Sequence, residues 1–352
     1  MLHRYSFSNF QSFLEPAEVS LVLNRKVPQS DWEVRSPSGQ RLTTAMGVVG
    51  PNGAGKTALL KPIVFAAWFI NASFHAKPDD QIPLTPHFAS AGAPTEFEFE
   101  VDGEDGRMWR YVLRATRERV LHEAVYQLKE RYTYVFVRDW DDKSNSYNIK
   151  QQDFDFAPKE ARRVRPNSSL ISTAAQYGVE LAKYLASVSV QSNIVVSGRL
   201  PYRPEIELPN AARHFSQNLE QQREMIRLLK SWDLGLTDVQ LREVTLQGLG
   251  QESSKIWLPF GVHASRDGGT HELTFVDESS GTQSAFVLLS RLLQALSFGG
   301  LAVIDEFESD LHPHMLEPIL ELFANPKANI VSARLVTDEP PSSTVRPWAS
   351  FC

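Results

Sequence analysis

Residues 50–57 read Gly-Pro-Asn-Gly-Ala-Gly-Lys-Thr, and no other stretch constrains the chain so tightly. Every fixed position of the phosphate-binding pattern G-x-x-x-x-G-K-[ST] is filled. The flanks suit it: Met46 to Val49 reads as the end of a buried apolar strand, and Ala58-Leu59-Leu60 opens an apolar helical pattern that runs to about Ile70. That order of strand, glycine loop and helix lets the backbone of Gly50, Asn52, Gly53, Ala54, Gly55, Lys56, Thr57 and Ala58 turn its N–H groups toward phosphate oxygens. The helix N-terminus adds partial positive charge. In such a site Lys56 reaches the β- and γ-phosphates and Thr57 holds Mg²⁺ through its hydroxyl. An ordinary glycine-rich turn before a helix is the competing reading, and the full eight-residue pattern in its strand-to-helix setting weighs against it.

The 352 residues allow a single large α/β unit with an insertion, and a hydrophobic content of 42% is enough for a core. A formal charge of −6 argues against a basic nucleic-acid coat, although a local basic patch stays open. The sole cysteine is Cys352, so no internal disulfide can form and a reducing, cytoplasmic setting is expected. The N-terminus lacks the apolar core of a signal peptide. The best apolar run, Ile63 to Ile70, falls short of the roughly 18 residues a bilayer span needs, so no membrane is expected.

Tyr5 and Phe7 begin an alternating strand that breaks at Ser8-Asn9, and Val19 to Leu23 gives a second, as a two-stranded lead-in to the loop. Phe10 and Phe13 read as core or, alternatively, as base-stacking contacts. Residues 71–93 read as loop. Glu96 to Val101 alternates strictly, turns at 102–106 and alternates again from Trp109 to Leu113, a hairpin with one wet face. Val120 to Leu128 and Tyr132 to Val137 extend it into a meander. Ser172–Ser187 and Ala211–Trp232 carry apolar residues at helical spacing, which suggests a helical insertion. Arg223, Glu224, Arg227 and Lys230 make a solvated face, or else a partner surface. Strands resume at Ile256–Phe260 and Glu272–Val276.

Asp277 to Gln283 then precedes an apolar helix from about Ala285 to Leu296. Ser279, Ser280 and Gly281 at its start supply a hydroxyl and free N–H groups, a second anion site of the same physical type. After Gly299-Gly300, residues 301–304 form a buried apolar strand that ends in Asp305-Glu306. Beside a phosphate loop, Asp305 can serve Mg²⁺ and Glu306 can deprotonate the attacking water; a solvated acidic turn is the alternative. His312 and His314 lack the companions of a zinc set and read as capping or packing residues.

This order of motifs resembles the ABC-type ATPase heads of the chromosome-maintenance and RecF-like group. It is most similar to the stand-alone AAA ATP-binding proteins of bacterial phage-defence and abortive-infection systems. Asn9-Phe10-x-Ser12-Phe13, the block Arg165 to Gln176 and the block Asp305 to Pro313 carry the likeness. It implies an α/β P-loop NTPase of the ABC-ATPase type with an antiparallel β meander and a helical insertion. The N-terminal lobe would span 1–155, the insertion 156–240, the C-terminal lobe 241–330 and an irregular tail 331–352. It further implies a homodimer that sandwiches ATP. Lys56 and Thr57 would bind in cis, with Lys56 and Glu306 catalytic and Thr57 and Asp305 on Mg²⁺. Ser279, Ser280, Gly281 and Gln283 would form the signature that meets the nucleotide in trans, Asp310 would couple the two sites, and Gln176 would sense the γ-phosphate.

In that family a strand ending in a Thr-His pair follows. Here no histidine follows His314, and residues 331–352 are rich in Pro and Ser without periodicity, which reads as a truncation or reading-frame change and implies slow turnover. The function expected is an ATP-driven switch on an effector protein. A DNA-binding repair scaffold would need sustained heptads or a basic groove. A metabolic P-loop kinase would leave the Ser-Ser-Gly-Thr-Gln element without a task.

Overall fold

The structure is a computed structural model that describes residues 1–232, 234–246, 254–265, 267–308, 311 and 313–324. Asp310, His312 and the tail 331–352, on which the sequence placed expectations, lie outside these described residues.

Strands β1 (Leu2–Ser8) and β2 (Ala17–Ser20) are followed by a small ribbon, β3 (Glu33–Arg35) with β4 (Arg41–Thr43), and by helix α1 (Lys56–Ala72). The meander comprises β5 (Thr95–Asp102), β6 (Met108–Ala115), β7 (Val120–Leu128), β8 (Tyr132–Asp141) and β9 (Ser146–Gln151). All but the ribbon join one antiparallel sheet of seven strands in the order β2-β1-β5-β6-β7-β8-β9. The two N-terminal strands are therefore not a separate lead-in: β1 pairs with β5, Tyr5 opposite Phe99. The expected alternation holds. Phe97 and Phe99 are buried on one face, and on the other Arg110 bonds Glu100 at 2.7 Å and Glu98 at 3.2 Å. Phe97 stacks on Phe65 of α1 with centroids 5.0 Å apart, and the Tyr5 hydroxyl donates to the Leu59 carbonyl at 2.8 Å. The sheet thus grips the helix that starts at the glycine loop.

The second half contains α2 (Pro158–Ala161), α3 (Leu170–Gln176), α4 (Glu180–Ala186), β10 (Val190–Ser192), β11 (Ile194–Val195), β12 (Gly198–Arg199), α5 (Pro204–Gln217) and α6 (Leu219–Ser231). There follow β13 (Leu236–Leu246), β14 (Ser254–Ala264), β15 (Thr270–Thr274), α7 (Ser280–Phe298), β16 (Leu301–Val303) and α8 (Pro313–Glu321). Two helices read as continuous are each split. Gly178, at φ 85°, takes the left-handed conformation between α3 and α4. Between α5 and α6 the Asn218 side chain donates to the His214 carbonyl at 2.8 Å and ends the first helix. β13, which the sequence did not suggest, pairs with β14, and β14 with β15, in an antiparallel three-stranded sheet.

β16 lies parallel to β10, a strand inside the segment read as a helical insertion, with Val190 opposite Leu301. Leu301 and Val303 belong to the core of the large sheet and α1. Ala302 and Ile304 belong to a second core built from α5, α6, α7 and α8. Side chains alternate across a strand, so this short segment is the seam between two cores, and Asp305 emerges at its end.

Two expectations are corrected. Met46 to Val49 is not in a strand: Met46 and Val48 touch the first core, but Val49 is 93% exposed and no described strand pairs with the segment. Its in–out alternation survives without a ladder to hold it. The apolar run is also longer than Ile63 to Ile70. Lys56–His75 is one helical segment of 20 residues, long and apolar enough by length and composition to cross a membrane. Half of it is buried inside the fold, where Leu60, Phe65 and Phe69 lie beneath the sheet as in a core helix.

Candidate functional site

The site is built where α1 begins. Gly55 holds φ 92° at the N-cap and offers no side chain to the first turn, which also carries no acidic residue. The leading N–H groups of the helix are thus left for an outside acceptor, and nothing negative competes for the positive helix end. A Cβ at position 55 would lie 2.8 Å from Ser12 Oγ and 3.3 Å from the Phe13 ring, so only glycine fits between loop and N-terminal turn. That turn is fixed by Asn9, at φ 50°. Its side-chain amide donates to the carbonyls of Ser90, Ala93 and Pro94 and accepts from the His87 N–H. The stretch Asn9 to Phe13 is therefore a buttress of the glycine loop, and Phe10, 1% exposed, is core.

Lys56 curls back across its own loop, Nζ donating to the Gly50 carbonyl at 2.7 Å and the Pro51 carbonyl at 3.0 Å. The Thr57 hydroxyl donates to Asp305 Oδ2 at 2.8 Å, joining residues 248 positions apart. Asp305 is 6% exposed. One turn further along α1, Lys61 is 9% exposed; burial pushes its ammonium below the usual lysine range, and the nearby Asp305 charge opposes that. Glu306, in the left-handed region at φ 50°, forms an ion pair with Arg199.

Two residues of this centre escaped sequence reading. Asn193 Oδ1 accepts from the Asp305 N–H at 2.8 Å and Asn193 Nδ2 donates to the Asp305 carbonyl at 2.7 Å, a reciprocal clamp on the main chain. Arg199 is the other. Both depend on the pairing of β10 with β16, and nothing in their local sequence marks it.

Ser279 caps α7, its Oγ accepting from the Thr282 N–H at 3.2 Å, and Ser279 and Ser280 are exposed. Gln283 is turned inward: Nε2 donates to the Val276 and Glu278 carbonyls at 3.1 and 3.0 Å, and Oε1 accepts from the Tyr202 hydroxyl at 3.2 Å. Among the described residues no hydrogen bond or ion pair joins this helix start to the glycine loop. Gln176 is exposed at the end of α3. The start of α3 is tied to the far end of α1, Ser172 Oγ accepting from the Phe74 N–H at 3.1 Å.

The residues fit Mg²⁺ and a nucleoside triphosphate. A hydroxyl and a carboxylate in contact are the hard oxygen donors that Mg²⁺ takes, alongside phosphate oxygens. Among the described residues no group of three or more His, Cys, Asp or Glu gathers at any point, so a divalent ion would rely on the nucleotide for its remaining ligands.

A glycine loop opening an uncapped helix, with a hydroxyl from the helix and a carboxylate from a parallel strand in contact, is the arrangement of a P-loop NTPase. Residues 45–334 match the family described as "AAA domain, putative AbiEii toxin, Type IV TA system". The chain belongs to this family of AAA-type ATPase domains. No curated protein matches it.

Proposed function

We propose that this chain is an ATP-binding and ATP-hydrolysing switch that closes as a homodimer on Mg·ATP and controls a partner effector in anti-phage defence. The observation that carries the reading is the 2.8 Å bond between Thr57 and Asp305. In this reading it joins two protein ligands of a Mg²⁺ site at the N-terminus of α1, whose dipole favours an anion. In this reading Lys56 leaves the Gly50 and Pro51 carbonyls for the β- and γ-phosphates, a charge-assisted contact stronger than the neutral bonds it gives up. Mg²⁺, when bound by Thr57 and Asp305, neutralises charge on the phosphates. Glu306 accepts the proton of the attacking water as the bond from the γ-phosphorus to the ADP oxygen breaks.

The helix start at Ser279, Ser280 and Gly281, its two serines exposed, is the surface offered to the nucleotide of a second chain. An ABC-type closure of this kind takes two chains, in keeping with the lack, among the described residues, of any hydrogen bond or ion pair between the two anion cradles of one chain. Gln283 contributes by shaping that helix start. A toxin–antitoxin connection, as in the family description, suits a domain whose nucleotide state governs an effector.

Glu306→Gln keeps the shape of the proposed base and removes its proton affinity, so it traps the closed pair. Sedimentation of this variant is expected to show a monomer without nucleotide and twice that mass with Mg·ATP. An unchanged monomer mass at micromolar protein with saturating nucleotide would count against the sandwich.

A further inference from the structure

The turn after β16 is bonded by residues 192–199 as well as by Thr57 of α1. Ser192 Oγ donates to the Val303 carbonyl at 2.7 Å, and the Asn193 amide fixes the Asp305 main chain. The Leu200 N–H returns to the Asn193 carbonyl at 3.1 Å, so the β11–β12 hairpin closes on itself with both ends at the same turn. Ile194, 2% exposed, roots the hairpin in the first core. The hairpin delivers Arg199 onto the Glu306 carboxylate. The two contacts differ in kind: Asn193 holds the backbone by neutral bonds, whereas Arg199 takes the side chain that performs the proposed chemistry. The ion pair is only partly shielded, with the side chains of Arg199 and Glu306 36% and 54% exposed.

We propose that Arg199 is a latch on the base. In the nucleotide-free chain its guanidinium occupies the Glu306 carboxylate; a bound triphosphate draws the guanidinium to the γ-phosphate and frees the carboxylate to meet water. The proposal rests on the reading of Glu306 as the base given above. A carboxylate oxygen engaged with a guanidinium has that lone pair filled and cannot accept a proton there. A partly exposed ion pair is weak and screened, while a guanidinium on a phosphate gains more charge and a bidentate fit. Glu207, an acid lining the same recess, is already paired with Arg291, so it offers the released guanidinium no ready alternative.

Arg199→Gln, Arg199→Lys, Glu306→Gln and the Arg199→Gln/Glu306→Gln double variant of the full chain test this by three readouts. In thermal unfolding, the two positions are expected to be coupled without nucleotide and uncoupled with a non-hydrolysable Mg·ATP analogue. In calorimetric titration Arg199→Gln is expected to bind a non-hydrolysable Mg·ATP analogue about three-fold more weakly or worse, because it lacks the guanidinium that moves to the γ-phosphate, and its phosphate release at saturating Mg·ATP, where the latch of the wild type is already open, is expected not to exceed that of the wild type. Arg199→Lys, which keeps the charge, stays near the wild type. Unchanged affinity of Arg199→Gln for the Mg·ATP analogue, faster turnover than the wild type at saturating Mg·ATP, or coupling that survives nucleotide, overturns the latch. Failure of the wild type to bind Mg·ATP would overturn the nucleotide reading itself. Turnover that persists in Glu306→Gln would overturn the assignment of the base, which the same data separate from failure of the latch.

Discussion

His214 shows how one side chain ties its surroundings to pH. It sits near the end of α5, and its Nε2 lies 2.6 Å from Gln221 Oε1 of α6. Burial pushes the imidazole below its usual value, and the bond with Gln221 opposes that. As pH falls the unfolded chain therefore takes up the proton before the folded chain does, so the folded state loses stability below about pH 6.5. Urea midpoints are expected to fall between pH 7.5 and 5.5 by more in the wild type than in His214→Asn, a comparison in which the carboxylates cancel; equal slopes would show that His214 does not contribute. At this scale legibility followed distance along the chain. Gly50 to Thr57 was readable because its chemistry is written in eight consecutive residues, and the Asp305-Glu306 pair because it ends a short apolar run. Asn193 and Arg199 act on residues more than a hundred positions away and carry no local mark.

Among the elements, the block Arg165 to Gln176 was legible only as a likeness, and the fold supplies its physical task. Glu123 and Arg138, both fully buried in the large sheet, reach out of it to hold this block. Glu123 accepts from the Ser169 hydroxyl at 2.5 Å and the Leu170 N–H at 2.8 Å, so a sheet carboxylate sits at the start of α3 where the helix dipole favours it. Arg138 donates to the carbonyls of Ser168, Val164 and Arg165. Arg165 and Asn167 in turn bond the chain just after α1. Removing one partner leaves the other charge buried, so Glu123→Ala is expected to cost about 3 to 5 kcal/mol in urea unfolding. A loss under about 1 kcal/mol would mean that the network relaxes around the gap. The meander was readable because strict alternation identifies a half-buried strand. The helix breaks at Gly178 and Asn218 were not, since the apolar stripe runs through both, and β10 was missed because three residues carry no period.

At the scale of the whole molecule, the described residues form two hydrophobic cores that share the strand β16. The first holds the sheet and α1, the second the bundle of α5 to α8, and β16 faces both by simple alternation. The mixed α/β class and the pairing of loop with acidic strand end were legible. The seam was not, because it depends on which residues of β16 face which core. This layout gives nucleotide a means of bridging the halves: the loop and Thr57 open α1, which packs in the first core, and Asp305 follows Ile304 of the second. Occupancy of the loop by Mg·ATP is the claim on which the switch, the dimer and the latch all depend, and calorimetric titration of wild type and Lys56→Ala tests it most directly. Among the described residues the Lys56 ammonium bonds the Gly50 and Pro51 carbonyls of its own loop, so its loss should leave the thermal midpoint of the nucleotide-free chain nearly unchanged. The account predicts that the wild type binds Mg·ATP and that Lys56→Ala binds it about ten-fold more weakly or worse, through loss of the charge facing the β- and γ-phosphates. Equal affinity in the two chains would contradict it.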